Sequence, residues 1–191
     1  MIRYSLFCLL LLLGLRGSAQ SQKPLPPGYL QWSATRRLQS ADFQMKVRPQ
    51  NNLNQSVGNL GIQMNGGIMD LFGKNANRAV QNVFHCGGSY LDSAGRLSTE
   101  IQIRYMQTLW DLNEVAARKL RQELRANAKR IILWGKPDAN DLIRTAYEVV
   151  GQRQIQYAGE TKYGLFLDKQ EAWKRQIQNE LLELAAFAVP D

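Results

Sequence analysis

The C-terminal half of this chain is organised around the sequence Tyr105-Met106-Gln107-Thr108-Leu109-Trp110-Asp111-Leu112-Asn113-Glu114-Val115-Ala116-Ala117-Arg118-Lys119-Leu120. Its apolar side chains recur every three or four residues, which predicts an amphipathic helix. The cap-type residues Ser98 to Glu100 mark its expected beginning. The helix is expected to run to about Arg130, because the sequence Gly135-Lys136-Pro137 stops any extension.

Two further helices are expected after this stop. Asp138 or Asn140 can cap the second, since side-chain oxygens of Asp and Asn accept hydrogen bonds from the first backbone amides of a helix. A loop containing Gly159 and Gly164 should follow, and Asp168 should open the third helix.

The N-terminal half carries strand signals. Residues 79–86 form the clearest candidate strand, broken afterwards by two glycines. Residues 57–72 mix apolar side chains with four glycines, and indicate a hairpin or a glycine-bearing strand. Strands first and helices later predict the α+β class, with a small antiparallel sheet packed against about three helices.

The N-terminus has the pattern of a secretory signal peptide. Arg3 supplies a positive charge, Leu6 to Leu15 an apolar stretch, and Gly17-Ser18-Ala19 the small residues that a signal peptidase recognises. We therefore predict a signal peptide over 1–19, an extended proline-rich leader over 20–30 and a single α+β domain over 31–191. The protein is expected in the periplasm or outside the cell, after cleavage near Ala19.

Composition agrees with an ordinary folded domain. The chain has 191 residues, of which 45% are hydrophobic and 21% charged. Its net charge is +8, which falls to +6 when Arg3 and Arg16 leave with the signal peptide. This charge permits contact with an anionic envelope surface, but an exported protein is not expected to bind nucleic acid. Cys86 is the single cysteine left after cleavage, so no internal disulfide is expected.

Three segments together resemble a known family. They are Trp110 to Glu114 with Ala117 to Leu120, then Arg37 to Phe43, and Tyr157 to Gly164 with Gln170 to Trp173. In order and spacing they are similar to the bacterial family catalogued as domain of unknown function nine-two-two, over roughly residues 38–184. For that family a zinc-dependent protease activity is inferred. The resemblance implies a zincin-like fold in which a helix carries the motif H-E-x-x-H.

The chain departs from the family where zinc would bind. The places of the first zinc-binding His, the general-base Glu and the second His hold Tyr105, Met106 and Leu109, and the His of the family's T-x-H-G segment is replaced by Tyr163. None of these is a usual zinc ligand, and none offers a carboxylate base. The resemblance therefore implies a degenerate member, without cofactor or catalytic residues.

Alternative chemistry rests on two other groups of side chains. Asp111 and Glu114, one turn apart, could serve a hydrolase as acid and base or bind a hard cation. Arg118, Arg121, Arg125 and Lys129 form a basic stripe, interpreted either as a solvated helix face or as a contact face for anionic lipid or glycan.

The leading hypothesis is an exported non-catalytic protein that binds an unidentified protein or peptide partner or has a structural role in the envelope. The hydrolase and the peripheral binder of anionic surfaces are the alternatives, and the oligomeric state is left open. His85 and Cys86 are adjacent on a predicted strand and should point to opposite faces, which disfavours a shared site.

Overall fold

The computed structural model describes residues 24–47, 55–66, 70, 76–92, 95 and 97–189. The predicted signal peptide lies outside this range. Three strands precede three helices, which confirms the α+β class. They are β1 (Tyr29–Gln31), β2 (Leu60–Met64), β3 (Val80–His85), α1 (Thr99–Trp134), α2 (Ala139–Thr161) and α3 (Leu167–Glu183).

The three strands form one antiparallel sheet with β3 in the centre. Phe84 pairs with Leu30 on one side and with Leu60 on the other. Residues 80–84 are buried without interruption, as expected for a central strand covered on both faces. The strand predicted over 79–86 is confirmed, and β1 includes the last two residues of the predicted leader.

Helix α1 is the longest element, with 36 residues and a length of about 54 Å at 1.5 Å per residue. The Ser98 hydroxyl accepts a hydrogen bond from the Ile101 amide, which caps its beginning. Gly135, with a φ of 64°, ends it, and its amide donates to the Ile131 carbonyl. The helix is thus about one turn longer than predicted, because it continues past Arg130 as far as the stop at Gly135.

Helix α2 folds back along α1, and α3 then runs beside α1 in the same direction. Asp138 caps α2, as predicted, with its side chain accepting from the Asn140 amide at 2.8 Å. The expected loop at Gly159 is wrong, since α2 continues through this residue to Thr161. The turn instead consists of Lys162, Tyr163 and Gly164, whose φ angles are 48°, 57° and 86°.

Apolar side chains form two clusters that meet at α1. The larger joins α1, α2 and α3 with Ile62 and Val80 of the sheet. The smaller lies between α1 and the N-terminal segments and contains Trp32, Phe84 and Trp110. None of the helices in the described part of the chain is both long and apolar enough to cross a membrane.

Candidate functional site

Three tyrosines from different elements meet beside α1. The Tyr105 ring stacks on the Tyr157 ring, with centroids 5.1 Å apart, and lies 5.9 Å from the Tyr163 ring. The turn after α2 sets this arrangement: a Cβ on Gly164 would lie 3.1 Å from the Cβ of Tyr105, so glycine allows the turn to approach α1 closely. Tyr105 and Tyr163, both assigned to zinc-binding places by the resemblance, are thus neighbours in the structure.

The phenols of Tyr105 and Tyr157 stay protonated at neutral pH. Burial raises the pKa of Tyr157 to about 12, although its hydrogen bonding with Thr108 and Gln170 acts to lower it. Burial also raises the pKa of Tyr105, with the neighbouring phenols Tyr157 and Tyr163 adding to the effect. A phenolate, the form that binds a metal, is therefore disfavoured here.

Leu109 and Met106, the other two residues that the resemblance assigned to a zinc motif, offer no usual zinc ligand. Leu109 is half-buried and packs against both apolar clusters. Met106 is buried in the smaller cluster, and a Cβ on Gly58 would lie 2.9 Å from its sulfur. A zinc ion does not fit these residues, since phenol, thioether and alkyl groups fill the place. In the described ranges no three His, Cys, Asp or Glu side chains are grouped so as to hold a metal.

The predicted basic face of α1 is wrong for two of its four residues. Arg118 and Arg121 are only 6% and 1% exposed. Arg121 donates to Glu114 Oε1 at 2.8 Å and, through Nε and Nη2, to the Val80 carbonyl. Arg118 donates to the same Glu114 oxygen at 3.0 Å. These cations face the core because the Glu114 carboxylate of the same helix and backbone carbonyls of other elements accept their hydrogen bonds there. Of the predicted stripe, Arg125 and Lys129 alone are exposed.

The ion pairs of Arg118 and Arg121 also separate the roles of the two acidic residues on α1, Asp111 and Glu114. Glu114 is 1% exposed and its Oε1 accepts from two guanidinium groups, so it faces no substrate. Asp111 instead reaches an open cleft. The pair therefore does not converge on one reacting group, as a hydrolase would require.

The cleft has a volume of about 780 Å³ and lies between α1, α3, the C-terminal segment and residues 32–38. Helix α1 contributes polar side chains one turn apart, and α3 contributes Gln170, Lys174 and Gln178 at a spacing of four. Its apolar walls include Trp32, Leu38, Ile103, Leu181 and Leu182.

Asp111 is held firmly in the wall of this cleft. Its Oδ1 accepts from Trp32 Nε1 at 2.8 Å and from Gln107 Nε2 at 2.9 Å, while Oδ2 lies 3.9 Å from Arg37 Nη1. Gln107 in turn accepts from the Leu38 amide at 2.8 Å. These bonds fix residues 32–38 against α1, so the mouth of the cleft is preformed.

A buried polar chain separates the cleft from the aromatic cluster. Tyr157 donates through its hydroxyl to Gln170 Oε1, and Gln170 Nε2 donates to Thr108 Oγ1 at 2.7 Å. Thr108 and Gln170 also line the cleft. The aromatic cluster therefore supports the cleft wall from behind instead of forming a cavity of its own.

Sequence reasoning missed the cleft, although part of its signal was present. Arg104, Gln107, Thr108 and Asp111 recur at helical spacing and form a polar stripe that the apolar pattern of α1 left unexplained. Nothing in the sequence shows that Trp32 or Gln170 would face this stripe. His85 and Cys86 lie apart from the cleft: Cys86 is buried and free, and His85 stacks on Tyr29 with centroids 4.3 Å apart.

Comparison of the chain with protein-family models, curated proteins and solved structures gave no match.

Proposed function

We propose that this chain is an exported, non-catalytic binding protein that takes its ligand into the cleft between α1, α3 and residues 32–38. The observation that carries the proposal is the cleft itself, since an open volume of about 780 Å³ with apolar walls and a few fixed polar groups is typical of ligand sites. Asp111, Trp32 and Gln107 preform its mouth through mutual hydrogen bonds.

The non-catalytic part of the proposal rests on two arrangements. Tyr105, Tyr157 and Tyr163 occupy the place that the family resemblance would give to zinc, and their ring contacts fill it. Glu114 is engaged by Arg118 and Arg121. We accordingly propose a relative of the nine-two-two family that retained the helix and lost the metal chemistry.

Export is proposed from the signal-peptide pattern of residues 1–19. The exported protein should begin at Gln20 or Ser21 in intact-mass measurements. An intact Met1 on protein recovered outside the cytoplasm would contradict this.

Binding in the cleft can be tested with the neutral apolar dye N-phenyl-1-naphthylamine, whose fluorescence rises when it leaves water. We expect saturable fluorescence with the wild-type protein and its loss with Ala34→Trp, because Ala34 lines the cleft and an indole there would occupy it. Ala41→Trp is the matched control, since Ala41 is exposed and lies outside the cleft. Equal dye binding by both variants would contradict the proposal.

A second candidate function is contact with an anionic membrane surface through the end of α1. Leu133 and Trp134 are 67% and 69% exposed there, and Lys129, Arg130 and Lys136 beside them are exposed too. Apolar tips among basic residues suit a lipid interface. Salt-sensitive binding to phosphatidylglycerol vesicles, lost with Trp134→Ser, would support this candidate, and equal binding to neutral vesicles would contradict it.

A further inference from the structure

The Arg104 side chain is the least satisfied cation of the cleft wall. Its Nε and Nη2 atoms are buried and have no hydrogen-bond partner among the described atoms. Buried donors are nearly always paired in folded proteins, because an unpaired one loses its hydration without compensation. Arg104 lines the cleft next to Thr108. Because the two unpaired atoms are closed off from solvent, a ligand in the cleft can supply the missing acceptors once the guanidinium turns toward it.

The charges of the cleft favour an anionic acceptor at this end. The cations of the lining are Arg37, Arg104, Arg118 and Lys174, and its acids are Glu100 and Asp111. Arg118 already donates to Glu114, which it shares with Arg121, and to the Leu181 carbonyl, and Arg37 lies near Asp111. Lys174 has only a distant exposed partner, Glu171, at 3.9 Å.

Arg104 and Lys174 therefore remain as the cations available to a ligand, with the Glu100 carboxylate as the opposing charge of the lining. A guanidinium presents its N–H groups as a planar fork that matches a carboxylate. A ligand with a single carboxylate would bring the net charge of Arg104, Lys174, Glu100 and the ligand together to zero.

The remainder of the cleft is apolar. Leu181 and Leu182 of α3 face Ile103 of α1 and Leu38 across it, and Leu182 is 74% exposed. An alkyl chain placed there would remove apolar surface from water on both sides. The volume of about 780 Å³ lies within the range of small-molecule sites.

We propose that the cleft binds an amphipathic organic monocarboxylate, with its carboxylate on the Arg104 guanidinium and its alkyl chain between α1 and α3. This inference rests on the proposed binding function and adds the class of ligand. On this proposal Arg104 determines which head group the cleft prefers, and the apolar walls supply the affinity for the alkyl chain of the ligand.

The test compares three probes below their micellar concentrations by calorimetric titration of the purified protein: decanoate, decanol and acetate. Decanoate should bind roughly tenfold or more tightly than decanol, as expected of a charge-assisted hydrogen-bonded pair. Acetate should bind far more weakly than either, since it lacks the chain. Arg104→Met should reduce decanoate affinity to that of decanol and leave decanol affinity unchanged.

Arg104→Lys and Arg130→Met complete the design. Arg104→Lys keeps the charge and loses the fork, and should give an intermediate decanoate affinity. Arg130→Met removes an exposed arginine at the far end of the same helix and should change nothing. Thermal melting of each variant shows that it is folded, and Arg104→Lys keeps the test decisive where Arg104→Met fails to fold.

The outcomes separate the two proposals. Decanoate and decanol binding with equal affinity, or a decanoate preference that survives Arg104→Met, would overturn the carboxylate assignment while leaving a ligand-binding cleft. No binding of decanoate or decanol by the folded wild-type protein, together with no dye binding, would overturn both. Loss of decanoate binding on Arg130→Met would place the ligand at the other end of α1 and would also overturn the assignment.

Discussion

Asp111 joins the N-terminal segment to α1 and faces the cleft. Burial raises the pKa of its carboxyl above the ordinary value of 3.8, although hydrogen bonds from Trp32 and Gln107 and the charge of Arg37 act to lower it. The folded protein therefore holds this proton to a higher pH than the unfolded chain does. Asp111 consequently favours the fold most at low pH, and this contribution is lost as the pH rises through its folded-state pKa.

The substitution Asp111→Asn tests this sign. Asn stays neutral and keeps an oxygen that accepts from Trp32 Nε1. The free energy of unfolding of the variant should therefore increase relative to wild type as the pH rises from below 3.8 toward neutrality. Urea unfolding over a pH series measures this difference. A relative free energy that is constant with pH, or that falls as the pH rises, would show that burial does not govern this carboxyl.

Helix α1 is fixed to the rest of the fold by charged groups as well as by apolar packing. Glu114 accepts from Arg118 and Arg121, and Arg121 also donates to the carbonyls of Val80 and Phe187. One arginine thereby connects the helix, the start of β3 and the C-terminal segment. Breaking a buried ion pair costs more than the pair contributes, because the remaining charge is left without compensation.

Arg121→Met and Arg125→Met form a matched pair on the same helix. Arg121→Met should lower the free energy of unfolding by about 3 kcal/mol, since it leaves Glu114 one donor short and two buried carbonyls unpaired. Arg125 is exposed, with a 3.3 Å hydrogen bond to Asn77 and a place over the Phe187 ring. Its substitution should cost less than about 1 kcal/mol. Chemical denaturation of both proteins checks this, and equal losses would contradict the assigned role of the network.

At the scale of the whole molecule, the family resemblance stays a prediction, and it would place a zinc ion at the cluster of Tyr105, Tyr157 and Tyr163. Met106 packs beside Gly58, so we leave it unchanged in the test. Tyr105, Leu109 and Tyr163 are the positions at which histidines could be introduced as zinc ligands around Tyr157. Three histidines are the minimum protein ligand set of many catalytic zinc sites.

The triple variant Tyr105→His, Leu109→His and Tyr163→His should be less stable than wild type without metal, because it replaces stacked rings by imidazoles that lack partners. Zinc should raise its melting temperature through binding linkage. The double variant that keeps Leu109 is the control and should respond much less. A folded triple variant whose melting temperature does not change when zinc is added would show that these positions do not form one zinc site.

The sequence was sufficient for the parts of the fold that depend on neighbouring residues. The caps at Ser98 and Asp138 and the strand Val80–His85 carry local signals, and each is confirmed. The loop predicted at Gly159 was wrong because a glycine is tolerated inside a helix. The turn is formed instead by the residues with positive φ that follow, Lys162 to Gly164.

The site depended on contacts between distant residues. The pattern of charge on α1 is the same whether Arg121 faces water or the Val80 carbonyl, which lies 41 residues away along the chain. Trp32 meets Asp111 from 79 residues away. Helical spacing shows which side chains share a face, but it does not show what that face will contact.

The most direct test of the central claim, that the cleft is the binding site, is a titration of the purified protein with decanoate followed through the indole N–H resonances of its tryptophans. Trp32 lies in the cleft and donates to Asp111, whereas Trp134 is 69% exposed at the end of α1. If decanoate binds in the cleft, the Trp32 resonance should shift and saturate while that of Trp134 stays in place. A shift of Trp134 with an unchanged Trp32 would contradict it.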